Sequence, residues 1–312
     1  MAVDLKLGIL TDTHYEIGEA ARNETVQLAA KELGYTQVDC DILWHLGDCL
    51  QEQQHTREQN RGVQWGLYRE VIENAGFHNK PFHAVPGNHD IEKDHFVEVY
   101  GGLNHATIIS GVQFMVIDST PRRLSLIYNQ ALSSNHDARH GMVEREALDF
   151  LDAHLSANPT TPTFVGMHHP VYPMIWGEGE AYARRYENTS LSYPFSLGVG
   201  LLYSVIMNAP EVRELLEYGS YNVVAVFNGH DGHSAHSHVA EQPNHVYNGV
   251  TYINLRHGSI IKANSGYWAQ DETYTWVTHF DIDTAAKTGE VIERNRTNHA
   301  DDTTNKISLD WS

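Results

Sequence analysis

Five short apolar runs in this chain each end abruptly in glycine, acidic, amide or imidazole residues. The segments that directly follow these runs are Thr11-Asp12-Thr13-His14, Gly47-Asp48, Pro86-Gly87-Asn88-His89-Asp90, His168-His169-Pro170 and Asn228-Gly229-His230. Apolar runs of this length, bounded by turn residues, are typical of strands that are buried on both faces. The pattern therefore predicts a sheet whose strands lead into polar loops.

Helical patterns separate the predicted strands. Residues 25–33, 65–75 and 144–155 keep apolar side chains on one helical face, and each stretch is closed by Gly or by Asn-Pro. Residues 106–110 and 114–118 have the pattern of a β-hairpin, and the end of the chain is rich in strand-like sequence. This alternation predicts α/β layers with a largely parallel central sheet. Because ligand sites in such folds lie at the carboxyl ends of strands, we expect the polar segments to meet at one edge.

The chain is strongly acidic. It has 40 Asp and Glu against 21 Lys and Arg, a formal net charge of −19. Nucleic-acid surfaces need clustered Lys and Arg, so the charge argues against a nucleic-acid partner. The acidity is compatible with life at high salt and equally with an ordinary acidic enzyme.

Cysteine use and hydropathy predict a cytoplasmic protein. The cysteines are Cys40 and Cys49, so no disulfide framework is indicated and a reducing compartment is expected. The sequence shows neither a secretory signal nor an apolar stretch of about 18 residues, so no membrane association is expected.

The chain has the organisation of a single domain with two interruptions. We predict one domain over residues 1–295, with insertions at 120–141 and 171–209, followed by a polar C-terminal tail over 296–312 that frays. The second insertion is rich in aromatic residues. It is compatible with a lid over the site and equally with ordinary packing against the sheet.

The residue types at the strand ends suit a metal site. Carboxylate, imidazole and amide oxygen together are ligands that first-row divalent cations accept. Asp48 has two carboxylate oxygens and can bridge two cations, which in such pairs lie about 3.5–4 Å apart and activate a bridging hydroxide. A site with few carboxylates stays slightly positive and attracts phosphate.

The ordered set of motifs resembles the calcineurin-like metallophosphoesterase superfamily. The set is Asp-x-His, Gly-Asp, Gly-Asn-His-Asp, His-His-Pro and Gly-His, and the resemblance spans about residues 5–236. It implies two packed mixed β-sheets flanked by α-helices and a pair of divalent metal ions such as Mn, Fe or Zn. The Asp12-x-His14 motif resembles the branch of cyclic-nucleotide and glycerophosphodiester phosphodiesterases. Purple acid phosphatases differ, because they have Tyr where this chain has Gln51.

The resemblance also implies roles for individual residues. It implies a first metal ion held by Asp12, His14, Asp48 and the last histidine of the Gly-His motif, and a second held by Asp48, Asn88, His168 and His230. His89 would stabilise the transition state or protonate the leaving group, and Asp90 would orient His89.

One spacing departs from the family. Members usually have Gly-His-x-His, whereas this chain has Gly229-His230-Asp231-Gly232-His233. A bulge or tight turn at Gly232 can absorb the extra residue. His233 is therefore our first choice for the last ligand, with His236 as the reserve. The remaining histidines that follow or lie within apolar runs, His45, His105, His169 and His279, are expected to be core residues.

The sequence thus predicts a binuclear-metal-dependent hydrolase of small phosphate esters, either a phosphodiesterase or a phosphomonoesterase. Two alternatives stay open: a nucleotide-sugar or dinucleotide pyrophosphatase, and a non-catalytic interaction module on the same fold. Retention of nearly all the ligand types favours the enzyme. The sequence does not indicate an oligomeric state.

Overall fold

Two six-stranded sheets face each other in the described part of the chain. The structure is a computed structural model, and it describes residues 2–15, 20–36, 38–50, 58–90, 93–120, 141–172, 206, 208–230, 245–255, 276–297 and 300–312. Both sheets contain parallel and antiparallel pairs, so the predicted architecture of two packed mixed sheets is confirmed.

The first sheet has a parallel half and an antiparallel half. Its strands are β1 (Leu5–Leu10), β2 (Ile42–Leu46), β3 (Phe82–Val85), β10 (Trp276–Asp283), β11 (Thr288–Thr297) and β12 (Ala300–Asp310), in the order β12-β11-β10-β1-β2-β3. β1, β2 and β3 are parallel, whereas β10 pairs antiparallel with β1, β11 with β10, and β12 with β11.

The second sheet has a parallel centre. Its strands are β4 (His105–Ile109), β5 (Val112–Val116), β6 (Thr163–Met167), β7 (Val223–Asn228), β8 (His245–Tyr247) and β9 (Val250–Asn254), in the order β4-β5-β6-β7-β9-β8. β5, β6, β7 and β9 are parallel, and the predicted hairpin of β4 and β5 lies at one edge.

Helices cover the outer faces of the sheets. They are α1 (Ala20–Lys31), α2 (Glu58–Asn74), α3 (Lys93–Tyr100), α4 (Arg145–Ala157) and α5 (Ala209–Arg213), with π-helical turns at Glu32–Thr36 and Glu214–Tyr218 and a 3₁₀ turn at Phe77–Asn79. Among the helices that the structure describes, none has the length and apolar character needed to cross a membrane.

The sequence of α4 shows why these helices pack as they do. Ala147, Leu148, Leu151 and Leu155 lie at helical spacing and are all buried. They join the apolar cluster on the outer face of the second sheet. The helix ends at Ala157, before Asn158-Pro159, because a residue that precedes proline is driven out of the helical conformation.

A second apolar cluster lies between the sheets. The Trp44 side chain of β2 is fully buried, and its ring centroid lies 6.0 Å from that of Phe114 in β5 and 6.1 Å from that of Phe227 in β7. Alternate residues of β2 face this inter-sheet core, while Leu43 faces the helices. β2 is therefore buried on both faces, which explains why all of its side chains except that of His45 are apolar.

The prediction of a polar tail over 296–312 is wrong. Residues Ala300–Asp310 form β12, which pairs with β11 along its length. Ile307 and Leu309 are only 6% and 4% exposed, because they alternate with polar residues and face the inter-sheet core. The predicted insertions at 120–141 and 171–209 lie largely outside the described residues.

Candidate metal centre

The polar segments that follow the parallel strands meet at one edge of the two sheets. Among the described residues, three groups of side chains could each hold a metal ion, because the ligand atoms within each group lie within 4.8 Å of one another. The groups are Asp12, Asp48 and His168; His14, Asp48 and His89; and His168, His169 and His230. The sets share members, so they form one continuous cluster. The first sheet supplies Asp12, His14, Asp48 and His89, and the second supplies the other three histidines.

The Nε2 atom of His168 marks the centre of this cluster. It lies 3.1 Å from Asn88 Oδ1, 3.1 Å from His230 Nδ1 and 3.5 Å from Asp48 Oδ1. The other ring nitrogen, Nδ1, lies 2.8 Å from the Leu46 carbonyl oxygen, so it carries the proton in the neutral ring. Nε2 then presents a lone pair to three atoms that can themselves act as electron donors.

This arrangement fits a cation. Ligand atoms bound at about 2.0–2.2 Å in a tetrahedral site are separated by roughly 3.3 Å, which matches the spacing around His168 Nε2. Without a cation, the same contacts favour the protonated, positively charged form of the His168 imidazole. Burial opposes that charge, but the Asp48 carboxylate and its hydrogen bond outweigh burial and raise the pKa of His168 to about 9.

The two oxygens of Asp48 face opposite parts of the cluster. Oδ1 accepts a hydrogen bond from the His89 backbone N–H at 2.7 Å and faces His168. Oδ2 lies 3.8 Å from His14 Nε2 and 4.0 Å from His89 Nε2. Burial alone would raise the pKa of Asp48, but the surrounding imidazoles hold it well below its ordinary value. Asp48 is therefore an ionised carboxylate between two groups of imidazole nitrogens.

Asp12 connects the first sheet to the second. Its Oδ2 atom accepts hydrogen bonds from the His230 backbone N–H at 3.0 Å and from the Thr11 hydroxyl at 2.6 Å. The side chain is only 1% exposed. These contacts bring the carboxyl ends of β1 and β7 together, so that one carboxylate helps to fix the position of an imidazole from the other sheet.

Four residues of the cluster have left-handed backbone conformations. Their φ angles are +51° at Asp12, +46° at His14, +52° at Asp48 and +68° at His230. Non-glycine residues seldom adopt this region, and each such residue costs on the order of 1–3 kcal/mol. Strain of this kind persists only where surrounding contacts hold it. Here the loops after β1 and β2 hold each other, with Asp12 N–H donating to Gly47 O at 3.0 Å and His14 N–H to Asp48 O at 2.9 Å.

The glycines before Asp48 and Asn88 are required by close packing. Gly47 has a φ of +85°, and a Cβ atom there would lie 2.5 Å from His168 Nδ1. A Cβ atom at Gly87 would overlap the backbone nitrogen and carboxylate of Asp48. The Gly-Asp and Gly-Asn motifs therefore allow ligands from neighbouring strands to approach one another.

Asp90 makes hydrogen bonds to backbone atoms rather than to the His89 ring, which it was predicted to orient. Its buried carboxylate accepts backbone N–H groups from Cys49 at 3.0 Å, Leu50 at 2.9 Å and Gly87 at 2.9 Å. Nδ1 of His89 is buried and has no hydrogen-bond partner among the described residues. Asp90 thus connects the loop that carries Asp48 to the loop that carries Asn88. Sequence reasoning missed these contacts because they are made to backbone atoms.

His169 lies in the cluster, although it was predicted to be a core residue. Its side chain is fully buried, as expected, but its ring centroid lies 4.5 Å from that of His230 and 4.8 Å from that of His168. Nδ1 lies 3.1 Å from the Ser119 hydroxyl, which also accepts the His169 backbone N–H at 2.9 Å. The adjacent His168 was the available signal for this placement.

The other predictions for histidines have mixed outcomes. His45 and His279 are 0% and 3% exposed, which confirms them as core residues. His105 is only half-buried and stacks on His83 with ring centroids 5.1 Å apart. His233 and His236, the two candidates for the last ligand of the first metal ion, lie outside the described residues.

Comparison with known proteins identifies the class. A model of the calcineurin-like phosphoesterase family matches residues 5–240. The chain belongs to this family, as its ordered motifs indicated. It is also similar to the 3′,5′-cyclic adenosine monophosphate phosphodiesterase CpdA of Haemophilus influenzae, with 25% identity over 233 residues that cover 71% of this chain and 75% of the relative.

Solved structures show a more distant similarity. Chaetomium thermophilum Vps29 aligns with a TM-score of 0.41 and 9% identity, covering 99% of this chain and 100% of that chain. A cold-active protein-tyrosine phosphatase of Shewanella sp. aligns with a TM-score of 0.31 and 13% identity, covering 94% of this chain and 80% of that chain. At these scores the similarity adds nothing to the family assignment.

Proposed function

We propose that this protein is a binuclear-metal-dependent phosphodiesterase that hydrolyses small phosphodiesters. The observation that carries the proposal is the convergence of Asn88 Oδ1, His230 Nδ1 and Asp48 Oδ1 on His168 Nε2, at distances of 3.1–3.5 Å. These atoms have the spacing and chemistry of a cation site. The family is one of phosphoesterases, and the similar CpdA of Haemophilus influenzae is a cyclic-nucleotide phosphodiesterase by name.

We assign the ligands as the motifs imply. One ion would be held by Asp12, His14 and Asp48, with His233 as the fourth ligand, and the other by Asp48, Asn88, His168 and His230. The opposite directions of the two Asp48 oxygens support its bridging role. When bound, the ions would supply Lewis acidity that activates water and neutralises the phosphate charge.

His89 is the residue of this chain that we assign to proton transfer. Its side chain is 19% exposed, whereas those of Asp48 and His168 are 3% and 0% exposed. The ring packs edge-to-face on His14, with centroids 4.7 Å apart, and Nε2 lies 4.0 Å from Asp48 Oδ2. A proton held at Nε2 can pass to the alkoxide that leaves the phosphate. Asp90 supports this step by fixing the loop that carries His89.

Net charge favours a small substrate over a nucleic acid. A chain of charge −19 repels a long polyanion, whereas a single phosphodiester responds mainly to the local field of the site. The cluster has few carboxylates among many imidazoles, so bound cations leave it positive. A small diester such as a cyclic nucleotide avoids the repulsion that a long polyanion meets, and its single phosphate is attracted by the positive site.

The test is hydrolysis of a substrate panel after chelation and again after adding Mn²⁺. The panel contains bis(p-nitrophenyl) phosphate, p-nitrophenyl phosphate, 3′,5′-cyclic AMP and a dinucleotide pyrophosphate. We expect chelation to abolish hydrolysis, Mn²⁺ to restore it, and both diesters to be cleaved faster than the monoester. Asp48→Asn is the matched control, and Mn²⁺ should not restore its activity.

Other outcomes contradict the proposal. Preferential cleavage of the pyrophosphate would favour the pyrophosphatase alternative. No hydrolysis of any compound with Mn²⁺, Fe²⁺ or Zn²⁺ would favour a non-catalytic module.

A further inference from the structure

His45 lies beneath the candidate metal centre and uses both of its ring nitrogens. It is fully buried in β2, where every other side chain is apolar. Nε2 lies 3.1 Å from the Thr13 hydroxyl oxygen, and Nδ1 lies 3.0 Å from the Cys49 sulfur. The Thr13 hydroxyl in turn lies 3.0 Å from the Cys49 carbonyl oxygen. His45 of β2 and one residue from each of the loops after β1 and β2 thus form a closed ring of contacts.

One set of proton positions satisfies the whole ring. The Cys49 thiol donates to His45 Nδ1, His45 Nε2–H donates to the Thr13 hydroxyl, and that hydroxyl donates to the Cys49 carbonyl oxygen. Each donor is used once and the imidazole is neutral. The Tyr68 hydroxyl, 3.3 Å from the Thr13 oxygen, can donate to that oxygen in the same arrangement. A buried polar network that is fully satisfied in this way is rigid.

The ring joins the two loops that carry the ligands of the first ion. Thr13 lies between Asp12 and His14, and Cys49 directly follows Asp48. All three ligands have left-handed backbone conformations, with φ of +51°, +46° and +52°. Such conformations need contacts that hold them in place. His45 contacts both loops, through Thr13 in one and Cys49 in the other.

We propose that His45 is a positioning residue that fixes Asp12 and His14 relative to Asp48 and thereby sets the affinity for metal ions. The inference rests on the proposed function, because it concerns the same metal site. It goes beyond that function by assigning a role to a residue that contacts neither metal ligand nor substrate. The competing explanation is that His45 only fills space in the core.

The experiment measures Mn²⁺ affinity and metal-free stability in the same variants. His45→Leu keeps most of the side-chain volume and removes both hydrogen bonds. His45→Gln keeps an amide N–H that can reach Thr13 but has no acceptor in the place of Nδ1. Thr13→Val keeps the side-chain shape and removes the hydroxyl. His279→Leu is the matched control, since it replaces a buried histidine in β10 that lies away from the cluster.

We expect His45→Leu and Thr13→Val to bind Mn²⁺ roughly 10–100-fold more weakly, the usual effect of losing a residue that orients metal ligands. His45→Gln should recover part of the affinity. His279→Leu should bind Mn²⁺ as the wild type does, even where its melting temperature without metal is changed. Affinities come from competition with a chelator of known strength, using protein that circular dichroism shows to be folded.

Each contrary result has a separate meaning. Wild-type protein that binds no Mn²⁺ contradicts the proposed function itself. If the wild type binds Mn²⁺, and His45→Leu and Thr13→Val bind it equally well, the positioning role is wrong. Should His45→Leu not fold, unchanged affinity in Thr13→Val and His45→Gln would refute the inference alone.

Discussion

His168 and His279 are both buried histidines, with 0% and 3% of their surfaces exposed, yet their pKa values move in opposite directions. At His168, burial is outweighed by the Asp48 carboxylate and the pKa rises to about 9. At His279, burial lowers the pKa to about 3, and the charges of Arg294, Lys6 and Lys306 lower it further. Burial is nearly equal in the two places, so the charges that face each ring make the difference.

Position along the strand explains which charges face the ring. His168 directly follows β6, at the carboxyl end where the loops of both sheets meet and bring their carboxylates. His279 lies inside β10, facing outward from the first sheet towards basic residues of neighbouring strands. A buried histidine that faces several acceptors is suited to a cation. At His279 the Asp281 carboxylate, 3.8 Å from Nε2, does not offset burial and the nearby basic residues, so the ring stays neutral.

The largest effect should come from His89, a histidine that follows a strand but is partly exposed. His89→Ala should retain both metal ions and lose turnover by roughly 10²–10⁴-fold, the usual scale of general acid–base catalysis. Esters with good leaving groups need little protonation, so the loss should shrink for bis(p-nitrophenyl) phosphate compared with a cyclic nucleotide. Steady-state kinetics and elemental analysis of the same sample measure both effects.

Two results would change the role given to His89. An equal loss on all substrates indicates that His89 stabilises charge on the phosphoryl oxygens instead of transferring a proton. Loss of metal from the variant would make His89 a ligand and contradict its assignment.

A smaller effect is expected from acid titration of His279. Below pH 6.5 an unfolded histidine gains a proton, whereas His279 in the folded chain does so only near pH 3. The unfolded state therefore binds more protons, and the contribution of His279 to stability falls as the pH decreases from 6.5 towards 3. His279→Leu, which cannot titrate, should gain about 3 kcal/mol of stability relative to the wild type between pH 8 and pH 4.5, since each of the two pH units below 6.5 is equivalent to about 1.4 kcal/mol.

Urea unfolding of chelated protein at the two pH values measures this difference. Chelation keeps the metal site in the same state in both proteins, so the other histidines contribute equally. A difference in unfolding free energy that does not change with pH would show that the pKa of His279 is not lowered.

The sequence predicted those residues of the site that come just after a buried strand along the chain. Buried strands have mostly apolar sequence, and the candidate ligands follow them closely, so Asp12, Asp48 and His168 could be placed at one edge from the sequence alone. The same reasoning located α4 and the hairpin of β4 and β5. Local sequence carried enough information because the carboxyl ends of parallel strands converge.

Other features depend on contacts that the local sequence does not specify. Asp90 accepts backbone N–H groups from a loop some 40 residues away, and any residue type except proline can supply those groups. His169 enters the cluster because Ser119 holds its ring from another strand end. The edge strand β12 could have been recognised, since Ile307, Leu309 and Trp311 alternate with polar residues, but its polar flanks favoured the interpretation as a tail.

Metal stoichiometry tests the central claim most directly. Wild-type protein reconstituted with Mn²⁺ and desalted should contain two ions per chain by elemental analysis, and Asp48→Ala should contain none, because one carboxylate serves both ions. Circular dichroism confirms that the variant is folded. A wild-type chain that holds one ion or none, or an Asp48→Ala variant with full metal content, would contradict a binuclear site bridged by Asp48.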